Sequence, residues 1–185
     1  MKEFTRTELR FSLCGLNCAL CSMHLGGYCP GCGGGAGNQS CGIARCSLEH
    51  GGISFCWQCP EYPCPRYEGF DDGDSFVPHR TRQQDIARAR ELGLEVYLTQ
   101  LEEKRGILEE LLAHYNDGRR KTLFNTAVYL LPLEDLRAVM AALSGRPELG
   151  EQTAKERALA AAALLQEAAD RRELSLKLRK YPGKG

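Results

Sequence analysis

The chain has 185 residues, enough for one ordinary domain or for a small module joined to a helical body. Hydrophobic residues make up 43% and charged residues 26%, a balance that is typical of a globular protein and excludes a disordered chain. The 24 basic and 24 acidic side chains give a formal net charge of zero, so no overall field attracts the protein to nucleic acid or to a membrane.

The N-terminal end carries no recognisable targeting signal. The first 13 residues are charged and contain no apolar run of the length that a secretory signal needs, and no later run is long enough to span a bilayer. We therefore expect a cytoplasmic protein without a membrane partner. Thiols stay reduced in that compartment, which favours metal binding over disulfide formation.

All ten cysteines of the chain lie between Cys14 and Cys64. The same segment is rich in glycine and has few large apolar side chains. A segment of this size and composition cannot fold on apolar burial alone and needs covalent or metal cross-links. We predict that residues 1–68 form a cysteine-rich metal-binding module.

The spacing of the cysteines favours zinc. Three pairs have two intervening residues, which lets both sulfurs of one turn face the same ion, and a tetrahedral site needs two such pairs. With Cys41 and Cys46 they supply eight thiolates, which predicts about two structural zinc ions. Gly33 permits a left-handed backbone that directs amide groups at the thiolates. The candidate ligands are Cys14, Cys18, Cys21, Cys29, Cys32, Cys41, Cys46, Cys56, Cys59 and Cys64.

Other interpretations of the cysteines remain open. Four thiolates also hold a [4Fe–4S] cluster, and the spacing does not exclude one. Disulfides are disfavoured by the reducing compartment. The spacing from Cys14 to Cys21 matches the radical-SAM cluster motif, but the sequence lacks the alternating strands and helices of that fold, and we attribute the match to chance. His24 and His50 could each replace a thiolate, although we interpret both as surface residues because enough sulfur is present.

Residues 69–84, which are mainly polar, are predicted to form a connector, and residues 85–185 a helical region. Apolar side chains then recur at three- and four-residue steps, which predicts an amphipathic helix. These side chains are Leu94, Tyr97, Leu98, Leu101, Leu108, Leu111, Leu112 and Tyr115. The Asn-Asp-Gly sequence at 116–118 predicts where this helix stops.

Two later helices have clear boundary signals. Pro132 opens one, with acidic residues in its first turn, and residues 144–145 end it. Thr153 and Glu156 fit a capping box at the start of an alanine-rich helix that runs toward Lys180. We predict three to five helices in an α-rich fold, with a small α+β arrangement as the alternative, in which the cysteine module packs against a C-terminal helical body.

Basic residues also form clusters. The cations within residues 171–184 are interpreted as a solvated helix end. Three consecutive cations follow Gly118: Arg119, Arg120 and Lys121. In the first turn of a helix the dipole disfavours each by about 0.3–1 kcal/mol. Either Asp117 acts as N-cap, with Glu134 or Asp135 nearby, or these cations bind an anion such as a phosphate or carboxylate.

Several segments of the sequence together carry a resemblance. They are CGLNCALC (residues 14–21), CPGC (29–32), CGIARCSLEHGG (41–52), CWQCPEYPC (56–64) and the helical stretch YNDGRRKTLFNTAVYLLPLEDL (115–136). In these the chain resembles the DUF3795 family of bacteria and archaea, over most of residues 11–140. The resemblance implies a cysteine-rich, zinc-binding module and supplies no reaction.

The sequence contains no nucleophile–base pair, phosphate loop or zinc-protease motif. His79 and His114 are interpreted as surface or helix-end residues. We therefore expect a non-catalytic interaction or recognition module whose partner is a protein or a small anion. The alternatives are an iron–sulfur redox protein or enzyme and, second, a nucleic-acid-binding zinc protein, which the scarcity of cations in the cysteine segment disfavours.

Overall fold

The protein is helical. The computed structural model describes residues 3–35 and 41–182, and within these ranges it has seven α-helices and no β-strand. The helices are α1 (Ser22–Leu25), α2 (Gly42–Glu49), α3 (Arg82–Leu92), α4 (Leu94–His114), α5 (Lys121–Leu130), α6 (Leu133–Ser144) and α7 (Ala154–Arg171). The predicted class, a cysteine-rich N-terminal region with a helical body, is confirmed.

The predicted number of three to five helices was wrong. Helices α1 and α2 lie within the cysteine segment and are too short to give a periodic apolar signal. Helix α3 is also hidden in the sequence, because its buried residues are Arg82, Ile86 and Ala89, of which one is charged. An amphipathic pattern cannot be recognised when a helix buries an arginine.

The chain forms two compact units. Unit 1 consists of Met1–Leu101 and Arg179–Gly185, and unit 2 of Glu102–Leu178, so the division falls inside α4. All ten cysteines belong to unit 1. Whether residues 1–68 and 85–185 fold as separate domains, as the sequence predicts, stays a prediction.

An aromatic cluster forms part of the core of unit 1. Phe11 is fully buried, and its ring centroid lies 6.0 Å from those of Phe55 and Trp57 and 5.0 Å from that of Tyr97. Phe55 and Trp57 are stacked, with centroids 4.1 Å apart. The Tyr97 hydroxyl donates to Oδ1 of Asn17 at 2.8 Å. Helix α4 is thereby joined to the loop that carries the first cysteines.

Arg6 ties three loops of unit 1 together. Its guanidinium donates to three backbone carbonyls, those of Ser54 at 2.8 Å, Phe11 at 3.0 Å and Cys32 at 3.2 Å. It also lies 4.7 Å from the centroid of the Phe55 ring. Loops without regular secondary structure cannot satisfy these carbonyls with their own N–H groups. The N–H donors of the Arg6 guanidinium therefore replace the backbone hydrogen bonds that a helix or sheet would supply.

The segment predicted as a polar connector is packed within unit 1. The Asp74 carboxylate accepts the backbone N–H of His79 at 2.8 Å and that of Arg179 at 2.7 Å. The His79 ring is 7% exposed and bonds Ser75 at 2.8 Å and the Tyr181 hydroxyl at 3.2 Å. Burial, together with the charge of Arg82, lowers the pKa of His79. The interpretation of His79 as a surface residue was wrong.

Unit 2 contains most of the helical residues. Helix α7 buries Ala158, Ala161, Leu165 and two further alanines, and small side chains of this kind let neighbouring helices approach closely. The predicted capping box of Thr153 and Glu156 is confirmed, with the Glu156 N–H donating to Thr153 Oγ1 at 3.3 Å. The predicted end of the fourth helix near Gly118 and the start of α6 after Pro132 are also confirmed.

Helix α7 ends at Arg171, so its predicted continuation toward Lys180 was wrong. The N–H groups of Arg172 and Leu174 both donate to the Ala169 carbonyl, at 3.0 and 2.9 Å, and Glu173 has a positive φ of 55°. This pattern of bonds closes a helix with a left-handed residue.

The described cations of the basic tail are exposed, as interpreted, but those after Arg172 lie beyond the end of the helix. Arg172 pairs with Asp135 at 2.7 Å, and Arg179 donates to the Asp71 carbonyl at 2.5 Å and to Asp74. Lys184 lies outside the described residues. The carboxylates that pair with these arginines are distant in sequence, so the pattern of cations alone could not show the pairs.

We expect Arg6→Lys to destabilise unit 1 by about 1–3 kcal/mol, because an ammonium group cannot reach three carbonyls in separate loops. The fluorescence of Trp57, the single tryptophan, reports urea unfolding of this unit. Arg10→Lys is the matched control, since Arg10 pairs locally with Glu8. A stability change of equal size in both variants would contradict the assigned role.

His79 makes the stability of unit 1 depend on pH. Because its pKa is lowered in the folded state, the unfolded chain binds the proton more readily below its ordinary pKa of about 6.5. Stability should therefore fall as the pH decreases from about 7.5 to 5.5, with a slope of at most about 1.4 kcal/mol per unit. The same urea titration on His79→Gln should show a smaller slope, and an unchanged slope would exclude His79 as the cause.

Candidate metal centre

Two of the three close cysteine pairs are presented by the same kind of turn. Cys18–Leu20 and Cys56–Gln58 are single turns of 3-10 helix. In each, the N–H of the second cysteine donates to the carbonyl of the first at 3.0 Å, from Cys21 to Cys18 and from Cys59 to Cys56. Residues three apart are aligned in such a turn, so both sulfurs of a pair can face one ion.

The third pair, Cys29 and Cys32, depends on two glycines. Gly31 and Gly33 have φ values of 90° and 88°, so the left-handed backbone predicted at Gly33 is confirmed. A Cβ atom at Gly33 would lie 2.9 Å from the backbone nitrogen and side chain of Arg6. The loop therefore requires glycine both for its backbone conformation and for the approach of Arg6.

Cys14 lies in a small core of unit 1. It is 8% exposed and packs with Phe4, Leu13, Ile43 and Ala44. The partly buried residues against this cluster include three further cysteines, namely Cys32, Cys41 and Cys56. Cysteines from three other segments of the chain are thereby gathered around one buried thiol.

Two polar groups approach the sulfur of Cys14. Ser12 Oγ lies 3.4 Å from it, and Nη1 of Arg82 donates to it at 3.8 Å. Arg82 is 1% exposed, and its charge is matched by Asp71, with which it forms a close ion pair. A buried cation and a hydroxyl therefore lie within hydrogen-bond reach of this sulfur.

Burial raises the pKa of three cysteines, Cys18, Cys32 and Cys56, and brings that of Cys56 to about 12. The Cys14 sulfur adds to the increase in all three. Other nearby sulfurs also contribute; they are Cys32, Cys21, Cys41, Cys46 and Cys64. Several thiolates cannot share this volume without a compensating positive charge, which a divalent cation would supply by displacing the protons.

Backbone amides favour the charged form of two of these sulfurs. The N–H of Cys32 donates to the Cys18 sulfur, and that of Leu13 donates to the Cys32 sulfur; both contacts oppose the increase in pKa. Amide donors of this kind are the outer contacts that orient thiolate ligands around a metal. Backbone amides were predicted to point at the thiolates, and the amides that do so here are those of Cys32 and Leu13.

A cavity of about 310 Å³ adjoins the second half of the cysteine segment. Four cysteines line it, namely Cys46, Cys56, Cys59 and Cys64. His50, Glu61 and Tyr67 also line it, together with apolar side chains such as Ile43 and Ile53. The cavity therefore combines several metal-binding donors with an apolar wall.

The donor set fits a zinc site, but the sulfurs do not lie at the distances from one another that a bound ion requires. Among the described residues, one group of three donor atoms from Cys, His, Asp or Glu lies within 4.8 Å, and it consists of His50, Cys59 and Glu61. Sulfurs in a tetrahedral thiolate site are about 3.8 Å apart. The thiol side chains would therefore have to rotate to bind an ion together. All ten cysteines are free thiols, and their assignment as ligands stays a prediction.

The three cations predicted to bind an anion follow Gly118 as expected, and α5 begins at Lys121. Asp117 is not the N-cap: that position is occupied by Arg120, without a side-chain cap. Asp117 instead accepts the N–H of Arg119 at 3.0 Å and pairs with the Arg120 guanidinium, and these contacts lower its pKa.

The other carboxylates suggested as partners of these cations are engaged elsewhere. Glu134 and Asp135 both pair with Arg172, so their predicted role beside Arg119 was wrong. Anion binding by Arg119, Arg120 and Lys121 stays a prediction, with the charge of Arg120 already compensated in part by Asp117.

Comparisons with known proteins identify no similar protein. The chain matches no protein-family model, no curated protein and no solved structure. The resemblance to the DUF3795 family therefore stays a prediction. Within residues 3–35 and 41–182, no helix has the length and apolar character needed to cross a membrane.

Sequence reasoning missed two residues of this region, Arg82 and Glu61, and set aside a third, His50. A local signal exists for two of them. His50 follows Cys46 by four residues, which is one helical turn, and Glu61 follows Cys59 by two residues across a proline. No local signal marks Arg82, whose partner Cys14 is 68 residues away.

Proposed function

We propose that the protein is a zinc-binding protein in which cysteine thiolates of unit 1 hold about two structural ions, and that the metal-stabilised loops form a recognition surface for another protein. The observation that carries this proposal is the convergence of three other cysteine segments on Cys14, two of which also line the neighbouring cavity. Buried thiols of raised pKa are stable as thiolates only beside a cation.

The distribution of charge supports a protein partner over nucleic acid. Arg6 and Arg82, which lie close to the cysteines, are engaged with carbonyls and with Asp71 and do not face solvent phosphates. Tyr28, in contrast, is 78% exposed directly before Cys29. An exposed aromatic ring held on a metal-stabilised loop is the kind of side chain that anchors a protein interface.

Metal content tests the proposal directly. Protein purified without oxygen should contain about two zinc ions per chain by elemental analysis. Cys18→Ser and Cys56→Ser should each lose about one ion, because each removes a thiolate from a different group of sulfurs. Ser22→Ala is the matched control, since Ser22 is exposed beside Cys21. Iron with inorganic sulfide would identify the iron–sulfur alternative, and the absence of any metal would contradict both.

Removing the metal should affect the two parts of the chain unequally. Among the α-helices of the described residues, α1 and α2 alone lie between Cys14 and Cys64, whereas α3 to α7 follow residue 81 and bury their own apolar side chains. A chelator should therefore disorder residues 14–64 and leave most of the helical circular dichroism signal. Loss of the whole signal in one transition would show that the helices also depend on the metal.

A further inference from the structure

His50 has the hydrogen bond that a metal-binding histidine requires. It follows the last turn of α2, and its Nδ1 lies 2.8 Å from the carbonyl oxygen of Cys46. A carbonyl can only accept, so Nδ1 donates in this contact and Nε2 is the ring nitrogen left to bind a metal. Histidines that bind metals nearly always donate their second ring nitrogen in this way, which fixes the tautomer and the orientation of the ring.

Two further donors lie beside this ring. A ring nitrogen of His50, Sγ of Cys59 and a carboxylate oxygen of Glu61 all lie within 4.8 Å of one another. The backbone holds the second and third together, since the N–H of Tyr62 donates to the Cys59 carbonyl at 3.1 Å and closes a turn around Glu61. Imidazole, thiolate and carboxylate are all ordinary zinc ligands, at about 2.0–2.3 Å from the ion.

All three donors line the 310 Å³ cavity. The remaining wall includes the apolar side chains of Leu13, Ile43 and Ile53, the ring of Tyr62 and the thiols of Cys46, Cys56 and Cys64. An ion bound by three protein ligands keeps a fourth position, and here that position falls to a group from the cavity. Three protein ligands and one open position distinguish zinc sites that bind small molecules from closed structural sites.

We propose that His50, Cys59 and Glu61 hold a zinc ion whose open coordination position binds a small molecule in the adjoining cavity, through a thiol or carboxylate carried on a compact apolar body. The proposal goes beyond the proposed function, which requires thiolates alone, and it rests on that function only in assigning Cys59 to a metal. His50 and Glu61, which a closed thiolate site would not use, become ligands.

Cobalt replacement tests the site. Cobalt(II) is titrated into metal-free, reduced, full-length protein, and the visible bands of tetrahedral cobalt are followed in competition with a chelator. His50→Ala and Glu61→Gln should each weaken binding of one ion by more than about tenfold, since even outer contacts of a metal site are worth about 10–100-fold. The matched controls are His114→Ala, on an exposed residue of unit 2, and Glu49→Gln, at the exposed end of α2.

The open position is tested on the wild-type protein, which avoids any dependence on the folding of variants. Benzenethiol should add a sulfur-to-cobalt charge-transfer band, whereas toluene, which has the same apolar body without the donor, should not. The added band should disappear in Glu61→Gln that retains the helical circular dichroism of the wild type. Equal cobalt affinity in wild type, His50→Ala and Glu61→Gln would overturn the proposal, as would an unchanged spectrum with benzenethiol.

The cobalt titrations distinguish failure of the His50, Cys59 and Glu61 site from failure of the thiolate sites. We call the site of His50, Cys59 and Glu61 the mixed site. If cobalt binds with wild-type affinity in His50→Ala and Glu61→Gln but is lost in Cys56→Ser, the thiolate sites stand and the mixed site is wrong. If the wild type binds no metal, both fail. Equal weakening in Glu49→Gln would show a general effect of charge and would also overturn the mixed site.

Discussion

The buried guanidinium of Arg82 is the interaction on which the arrangement of unit 1 depends. A cation that is 1% exposed is tolerated only where opposite charge and acceptors surround it. Asp71 supplies the charge, the Phe70 carbonyl accepts at 2.6 Å, and the Phe70 ring lies 3.5 Å from the guanidinium carbon. Removing Asp71 would leave the charge unpaired, at a cost of about 3–5 kcal/mol. The fourth contact, to Cys14, connects this network to the cysteines.

This network explains why residues 70–82 belong to the same compact unit as the cysteine segment, despite their polar sequence. In that segment the polar side chains bind backbone groups or one another: Asp74 accepts two N–H groups, and Arg82 bonds the Phe70 carbonyl. Arg6 does the same for the loops around Cys32. Polar residues here substitute for the ladders and apolar layers that a glycine-rich segment cannot form.

The contrast between local and distant interactions decides what the sequence could predict. The CxxC turns, the left-handed Gly33 and the capping box of Thr153 involve residues at most three apart, and all three were predictable. Arg6 and Arg82 act over distances in sequence of 5 to 68 residues, and nothing beside them in the chain marks their partners. His50 was interpreted as a surface residue for another reason, because the number of thiols made a nitrogen ligand unnecessary.

Charge balance gives a physical reason for a histidine beside so many thiols. Four thiolates around one zinc ion leave a net charge of about −2, which must be compensated when the site is partly buried. Neutral imidazole with one thiolate and one carboxylate leaves a zinc ion with no net charge. Unit 1 commits Arg82 to Asp71 and Arg6 to carbonyls, so neither guanidinium is free to compensate further thiolates. The proposed site at His50, Cys59 and Glu61 would therefore bind its ion without adding negative charge to the region around Cys14.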